Sequence, residues 1–209
     1  MGNIRRWMVL GLVGAMTAPA LGDINIISLE RRVHASTDGD FQAIMSNDTG
    51  LFEDDVTAVN PNIASGFASQ TSMVDPLSIH FQGQAYGDAS NGYSGGGQSK
   101  IAIHFSLDFD HLVTVSATGT GDYQPKMFME QLYTVNRIID EESISTFDDS
   151  FVLGAGEYYF LASTHAAHDF WGIDTSTSLS FDMEFTALPA PSTGVIFSVA
   201  MMARRRRRR

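Results

Sequence analysis

The chain has 209 residues, with 13 Lys and Arg against 24 Asp and Glu, a net charge of −11, and no cysteine. Residues 23–188 hold every acidic side chain but only five basic ones (Arg31, Arg32, Lys100, Lys126 and Arg137), a local net charge of −19. Such a segment is repelled by nucleic acid and by anionic lipid. With no cysteine, no disulfide stabilises it.

The N-terminus reads as an export signal. Arg5 and Arg6 form a charged start, and residues 7–16 are an apolar run of about ten, too short to span a bilayer. Small residues at Ala18, Ala20 and Gly22 suit signal peptidase, with cleavage after Ala20 or Gly22. Residues 1–22 are therefore expected to be a signal peptide. Residues 23–187 are expected to form one domain, and 188–209 a separate tail.

The body reads as strands and turns. In residues 101–109, Ile101, Ile103, Phe105, Leu107 and Phe109 alternate with Ala102, His104, Ser106 and Asp108. That period of two gives a strand one buried face and one wetter face. Residues 179–185 and 77–81 repeat it. Weaker patterns predict strands at 24–28, 32–36, 41–45, 66–74, 112–118 and 157–163. Residues 127–139 fit a strand or a helix, with strand favoured for 128–135. About ten short strands punctuated by Gly, Asn and Asp predict an all-β fold, an antiparallel sandwich of jelly-roll type. A short linker at 108–111 predicts a hairpin between its flanking strands. The glycine-rich stretch 87–97 is expected to be an exposed loop.

Several groups invite a chemical reading. Gly92-Tyr93-Ser94-Gly95-Gly96 matches the letters of a nucleophile elbow, but no strand precedes the serine and no helix follows it, so a plain loop is expected. His165 and His168 with Asp169 hold metal-ligand types, yet a spacing of three converges on one ion only from a helix or a tight loop. Asp38, Asp40, Asp54 and Asp55 are the better candidates for a structural calcium, which takes six to eight oxygen ligands. Solvated acidic loops are the simpler expectation, and no cofactor is required. Tyr93, Phe170 and Trp171 lie in loop-like sequence and are candidates to stack on sugar rings. No catalytic set of residues emerges.

The tail has a distinct physics. Pro189 and Pro191 suit neither a helix interior nor a central strand, so they end the fold. Residues 194–203 can form an apolar helix of about 15 Å, half of a hydrocarbon core. Arg204, Arg205, Arg206, Arg207, Arg208 and Arg209 follow, and the positive-inside rule keeps such a block in the cytoplasm. Pro189, Ala190, Pro191, Ser192 and Thr193, the apolar run and the arginines together resemble a PEP-CTERM sorting signal, with Ala190 where that family carries glutamate. The resemblance covers about a tenth of the chain. It implies recognition by exosortase, a membrane cysteine protease-transpeptidase of diderm bacteria that usually make exopolysaccharide. It also implies transient membrane insertion through the apolar helix, then release to the cell surface or extracellular matrix. The resulting expectation is a non-enzymatic exported protein, served by signal peptidase and exosortase and associated with exopolysaccharide. A carbohydrate-binding module is the alternative, and a secreted hydrolase is a third reading.

Overall fold

The computed structural model describes residues 23–61, 63–90, 93–123, 125–134, 136–168 and 174–189. Residues 1–22, expected to be a signal peptide, residues 169–173 with Asp169, Phe170 and Trp171, and residues 190–209 lie outside the described residues. Twelve strands run in chain order: β1 Asn25–Thr37, β2 Phe41–Ser46, β3 Gly50–Asn60, β4 Ala64–Val74, β5 Ser78–Ala89, β6 Gly95–Leu107, β7 His111–Gly121, β8 Lys126–Gln131, β9 Arg137–Glu141, β10 Thr146–Leu153, β11 Gly156–His168 and β12 Thr175–Ala187. No helix occurs among the described residues.

The strands form two antiparallel six-stranded sheets. The front sheet has the order β2-β1-β6-β11-β8-β9, and the back sheet β10-β7-β12-β5-β4-β3. Within β5–β12 the pairs are nested: β5 with β12, β6 with β11, β7 with β10 and β8 with β9. One long hairpin, rolled up so that successive pairs fall in alternate sheets, has this connectivity, which is that of a jelly roll. β1 and β2 extend the front sheet beyond β6, and β4 and β3 extend the back sheet beyond β5.

Alternation explains the burial. Ile101, Ile103, Phe105 and Leu107 of β6, with Phe160 of β11 and Met127 and Met129 of β8 in the same sheet, face Leu179, Phe181, Met183 and Phe185 of β12 in one core. Phe105 stacks on Tyr158 at 5.5 Å and meets Phe185 edge-on at 5.4 Å. A smaller core of Val33, Ala35, Phe52, Val56, Ala58 and Ala68 joins β1 to β3 and β4.

Three local expectations are corrected. The linker 108–111 does not close a hairpin, because β6 lies in the front sheet and β7 in the back sheet. Residues 95–97 are not a loop tip. They open β6, and Gly95 and Gly97 are buried. A Cβ on Gly97 would stand 1.9 Å from Phe67 O, and one on Gly66 would stand 2.2 Å from Gly96 O. The two sheets touch there backbone to backbone. Finally, residues 53–55 are not an acidic loop but the middle of β3.

Candidate functional site

The front sheet presents a broad outer face from β1, β6, β11 and β8. Register sets its rows. Arg32 lies opposite Lys100, Lys100 opposite Ser163, and Ser163 opposite Lys126. Three inter-strand steps of about 4.8 Å make this a row of about 14 Å. The adjacent row runs from His34 to Gln98 to His165. Four of the five basic side chains of residues 23–188 thus fall on strands of this one sheet's outer face, with Arg137 on β9. The fifth, Arg31, points into the core.

Aromatic rings flank the histidine row. Phe41 of edge strand β2 is 58% exposed and stacks on His34 at 5.9 Å. Tyr123, in the β7–β8 connection, is 36% exposed and meets His165 edge-on at 5.9 Å. Beside it an open groove of about 540 Å³ is lined by Gln98, Tyr123, Lys126, Glu142, Ser163 and His165.

The electrostatics divide the face in two. In the lower half, Arg137 pairs with Asp140 at 2.7 Å and lies over the Phe128 ring, while His104 lies 3.1 Å from Glu157. In the upper half, Lys100 pairs with Glu30 at 3.1 Å. No carboxylate among the described residues pairs with Arg32 or Lys126. Arg32 Nε and His34 Nδ1 are buried without a hydrogen-bond partner among those residues. Burial lowers the pKa of His34, and Arg32 and His165 lower it further. Burial likewise lowers that of His165, with Lys126 adding to it. Both imidazoles therefore favour the neutral form.

Of the residues singled out from sequence, His165 lies on this face, while Asp38, Asp40, Asp54, Asp55 and Tyr93 lie elsewhere. Asp38 accepts hydrogen bonds from Ser94 Oγ at 2.6 Å and Ser94 N at 2.9 Å, which hold its carboxyl below the ordinary aspartate range. Ser94 is thus a loop anchor for the β5–β6 connection, and exposed Tyr93 stands next to it. Asp40 accepts from Val59 N and Gln42 Nε2 in the β1–β2 turn. Asp54 and Asp55 are consecutive in β3, where neighbouring side chains take opposite faces. No three His, Asp or Glu side chains among the described residues are grouped to hold one ion. His165 and His168 belong to β11 and not to a loop. His80 and Asp182 make an exposed pair at 2.5 Å on the back sheet. Of the tail residues expected to form a sorting motif, exposed Pro189 is described, while Ala190, Pro191, Ser192, Thr193 and Arg204–Arg209 lie outside the described residues.

Sequence reasoning missed the front-sheet rows. Arg32, Lys100 and Lys126 meet only through strand register. The one signal available was the scarcity of basic residues in an acidic domain.

No family model and no curated protein matches this chain. Among solved structures, a GH31 alpha-xylosidase from Xanthomonas citri is similar over 78% of this chain and 19% of its own, with 8% identity and a TM-score of 0.21. At that score the likeness carries no functional argument.

Proposed function

We propose that this chain is an exported protein of a diderm bacterium, sorted by exosortase and placed at the cell surface or in the extracellular matrix. There its sandwich associates with exopolysaccharide and catalyses no reaction. The observation that carries the reading is the tail, in which Pro189, Pro191, Ser192 and Thr193 precede an apolar run and six arginines. Its position supports the reading. β12 ends at Ala187, Leu188 N still donates to Asp110 O, and the Pro-x-Pro motif begins at the next residue. A protease would meet that motif just outside the folded domain.

Mass spectrometry of the protein from the producing cell tests this. The expected mature chain starts at Leu21 or Asp23 and lacks Arg204–Arg209, with cleavage near residues 189–193. Intact arginines on exported protein would make the tail a permanent anchor and overturn the sorting claim. Deleting 189–209 should leave export intact and abolish membrane retention.

A second reading, a carbohydrate-binding module, is favoured by the exposed rings of Phe41 and Tyr123 on the front face. Binding of the producer's own exopolysaccharide tests it. Loss on Trp171→Ala would assign the contact to the β11–β12 connection, and loss on Tyr123→Ala to the front face.

A further inference from the structure

We infer that the upper half of the front sheet's outer face, centred on Arg32, His34, Lys100, Lys126, His165 and Tyr123, binds an acidic polysaccharide whose sugars carry carboxylate groups. The inference rests on the matrix reading above for where the ligand is met, and deepens it by naming the ligand's chemistry.

The placement of charge is the first ground. Residues 23–188 have only five basic side chains, and three of them share one row of one face. Arg32 and Lys100 stand directly opposite each other across β1 and β6. Like charges in that position destabilise a sheet. Glu30 answers Lys100 alone. Arg32 is left without a carboxylate of its own, and a local rule left unsatisfied in this way marks a site that an outside acidic group would complete.

Unmet hydrogen bonding is the second ground. Arg32 Nε and His34 Nδ1 have no hydrogen-bond partner among the described residues; Arg31 Nε and Thr164 Oγ1 share that state, but both are on the core side of the sheet. A carboxylate accepts from a guanidinium in a planar, two-point geometry and also suits an ammonium such as Lys126. The lower half of the face has no such need, since Arg137 and His104 already have Asp140 and Glu157.

Shape makes the ligand a polymer of rings. Phe41 and Tyr123 bracket the histidine row, and a row of about 14 Å outlasts any single ion. A pyranose presents an apolar C–H face to an aromatic ring, while its hydroxyls reach Gln98 and Ser163 in the groove. The acidic remainder does not forbid this. The two sheets lie about 10 Å apart, and at physiological salt exposed charges are screened beyond about 8 Å. Glu30 is held by Lys100, Glu142 lines the groove, and Asp40 and Asp122, next to Phe41 and Tyr123, accept backbone hydrogen bonds from Val59 and Ser176. Nucleic acid fits poorly, because its affinity is built from many phosphate contacts. Three cations, one already paired, are too few.

The test uses the full chain and isothermal titration against four probes: polygalacturonate, its methyl ester, dextran sulfate and single-stranded DNA. Polygalacturonate is expected to bind, with the methyl ester about tenfold weaker or more. Lys126→Gln and Arg32→Gln together should erase that difference, and Tyr123→Ala should weaken both glycans. Lys126 and Tyr123 are exposed, so each single variant should keep the parent melting temperature. A parallel protein with Arg204–Arg209 changed to glutamine removes the tail's charge and should keep the same ratio. Equal binding of the acid and its ester, no glycan binding, or DNA binding as tight as glycan binding would each overturn the inference. Preference for dextran sulfate would overturn the carboxylate assignment. A processed, matrix-bound protein that fails to discriminate the ester sinks this inference and leaves the sorting reading standing. An unprocessed protein that does discriminate it has the converse result.

Discussion

Arg31 sits on the core face of β1 with no exposure at all. Its guanidinium is held by carbonyls and not by an ion pair. Nη1 donates to Gly50 O at 2.7 Å, Nη2 donates to Asp48 O and Ser46 Oγ, and the Phe52 ring lies 5.1 Å away. Burial lowers its pKa, and the Asp48 charge partly opposes that. Arg31→Met would strip the 48–50 carbonyls of their donor, a cost of about 3 kcal/mol. Lysine should not rescue it, because one ammonium cannot reach carbonyls fanned around a planar fork. Urea unfolding of both variants checks this. His34 and His165 carry a second prediction. Their folded pKa values lie below 6.5, so in the folded chain they stay neutral where unfolded imidazoles take protons. The stability that these two groups contribute is therefore complete above pH 6.5 and is lost as pH drops from there through the folded values. Arg32, Lys100, Gln98 and Phe41 surround His34, and Lys126, Tyr123 and Glu142 lie by His165. Titration by NMR should place both midpoints below that of a free imidazole, and polygalacturonate should raise them.

Among the elements, the start of β6 is the most tightly specified. Gly97→Ala would drive a methyl group into Phe67 O, a backbone atom that cannot swing aside. A loss of about 3 kcal/mol or a failure to fold is expected. Gly50→Ala meets open space but must adopt φ +87°, so about 1 kcal/mol is expected. Melting temperatures of the two variants should rank accordingly. The same elements show what was legible in sequence. β6 and β12 were plain because each buries one full face, so their period of two is strict. β3, β9 and β10 were missed. β9 and β10 are edge strands that bury too little to enforce alternation, whereas edge strand β3 does alternate, burying Phe52, Val56 and Ala58. Glu53-Asp54-Asp55 masked β3 as a loop. The false hairpin at 108–111 arose because alternation tells which face is wet, but not which sheet a strand joins. Gly95–Gly97 looked loose because a sequence shows the missing side chains and not the backbone packed in their place. Candidate residues fared alike. The acidic and aromatic types were visible, whereas the front-sheet rows exist only once strands distant in sequence are in register.

For the whole molecule, the roll places its last strand at the centre of the back sheet. β12 lies between β7 and β5 and supplies Leu179, Phe181, Met183 and Phe185 to the main core. A chain ending at residue 174 should therefore give no cooperative melt. One ending at 189 should melt like the full chain, because β12 stops at Ala187. Differential scanning calorimetry distinguishes these outcomes. Pairs such as β5 with β12 join segments far apart in sequence, so refolding should be slow, in milliseconds to seconds. For a protein passed through a membrane pore from its N-terminus, this architecture sets a clock. The roll cannot close while β12 is still on the near side, so the chain stays threadable until nearly all of it has crossed. The segment that follows β12 is the Pro-x-Pro tail, so under the export and sorting proposed above, completion of the fold would coincide with arrival of the tail at the bilayer. A protease waiting there would meet its substrate segment as the domain behind it becomes resistant to cleavage.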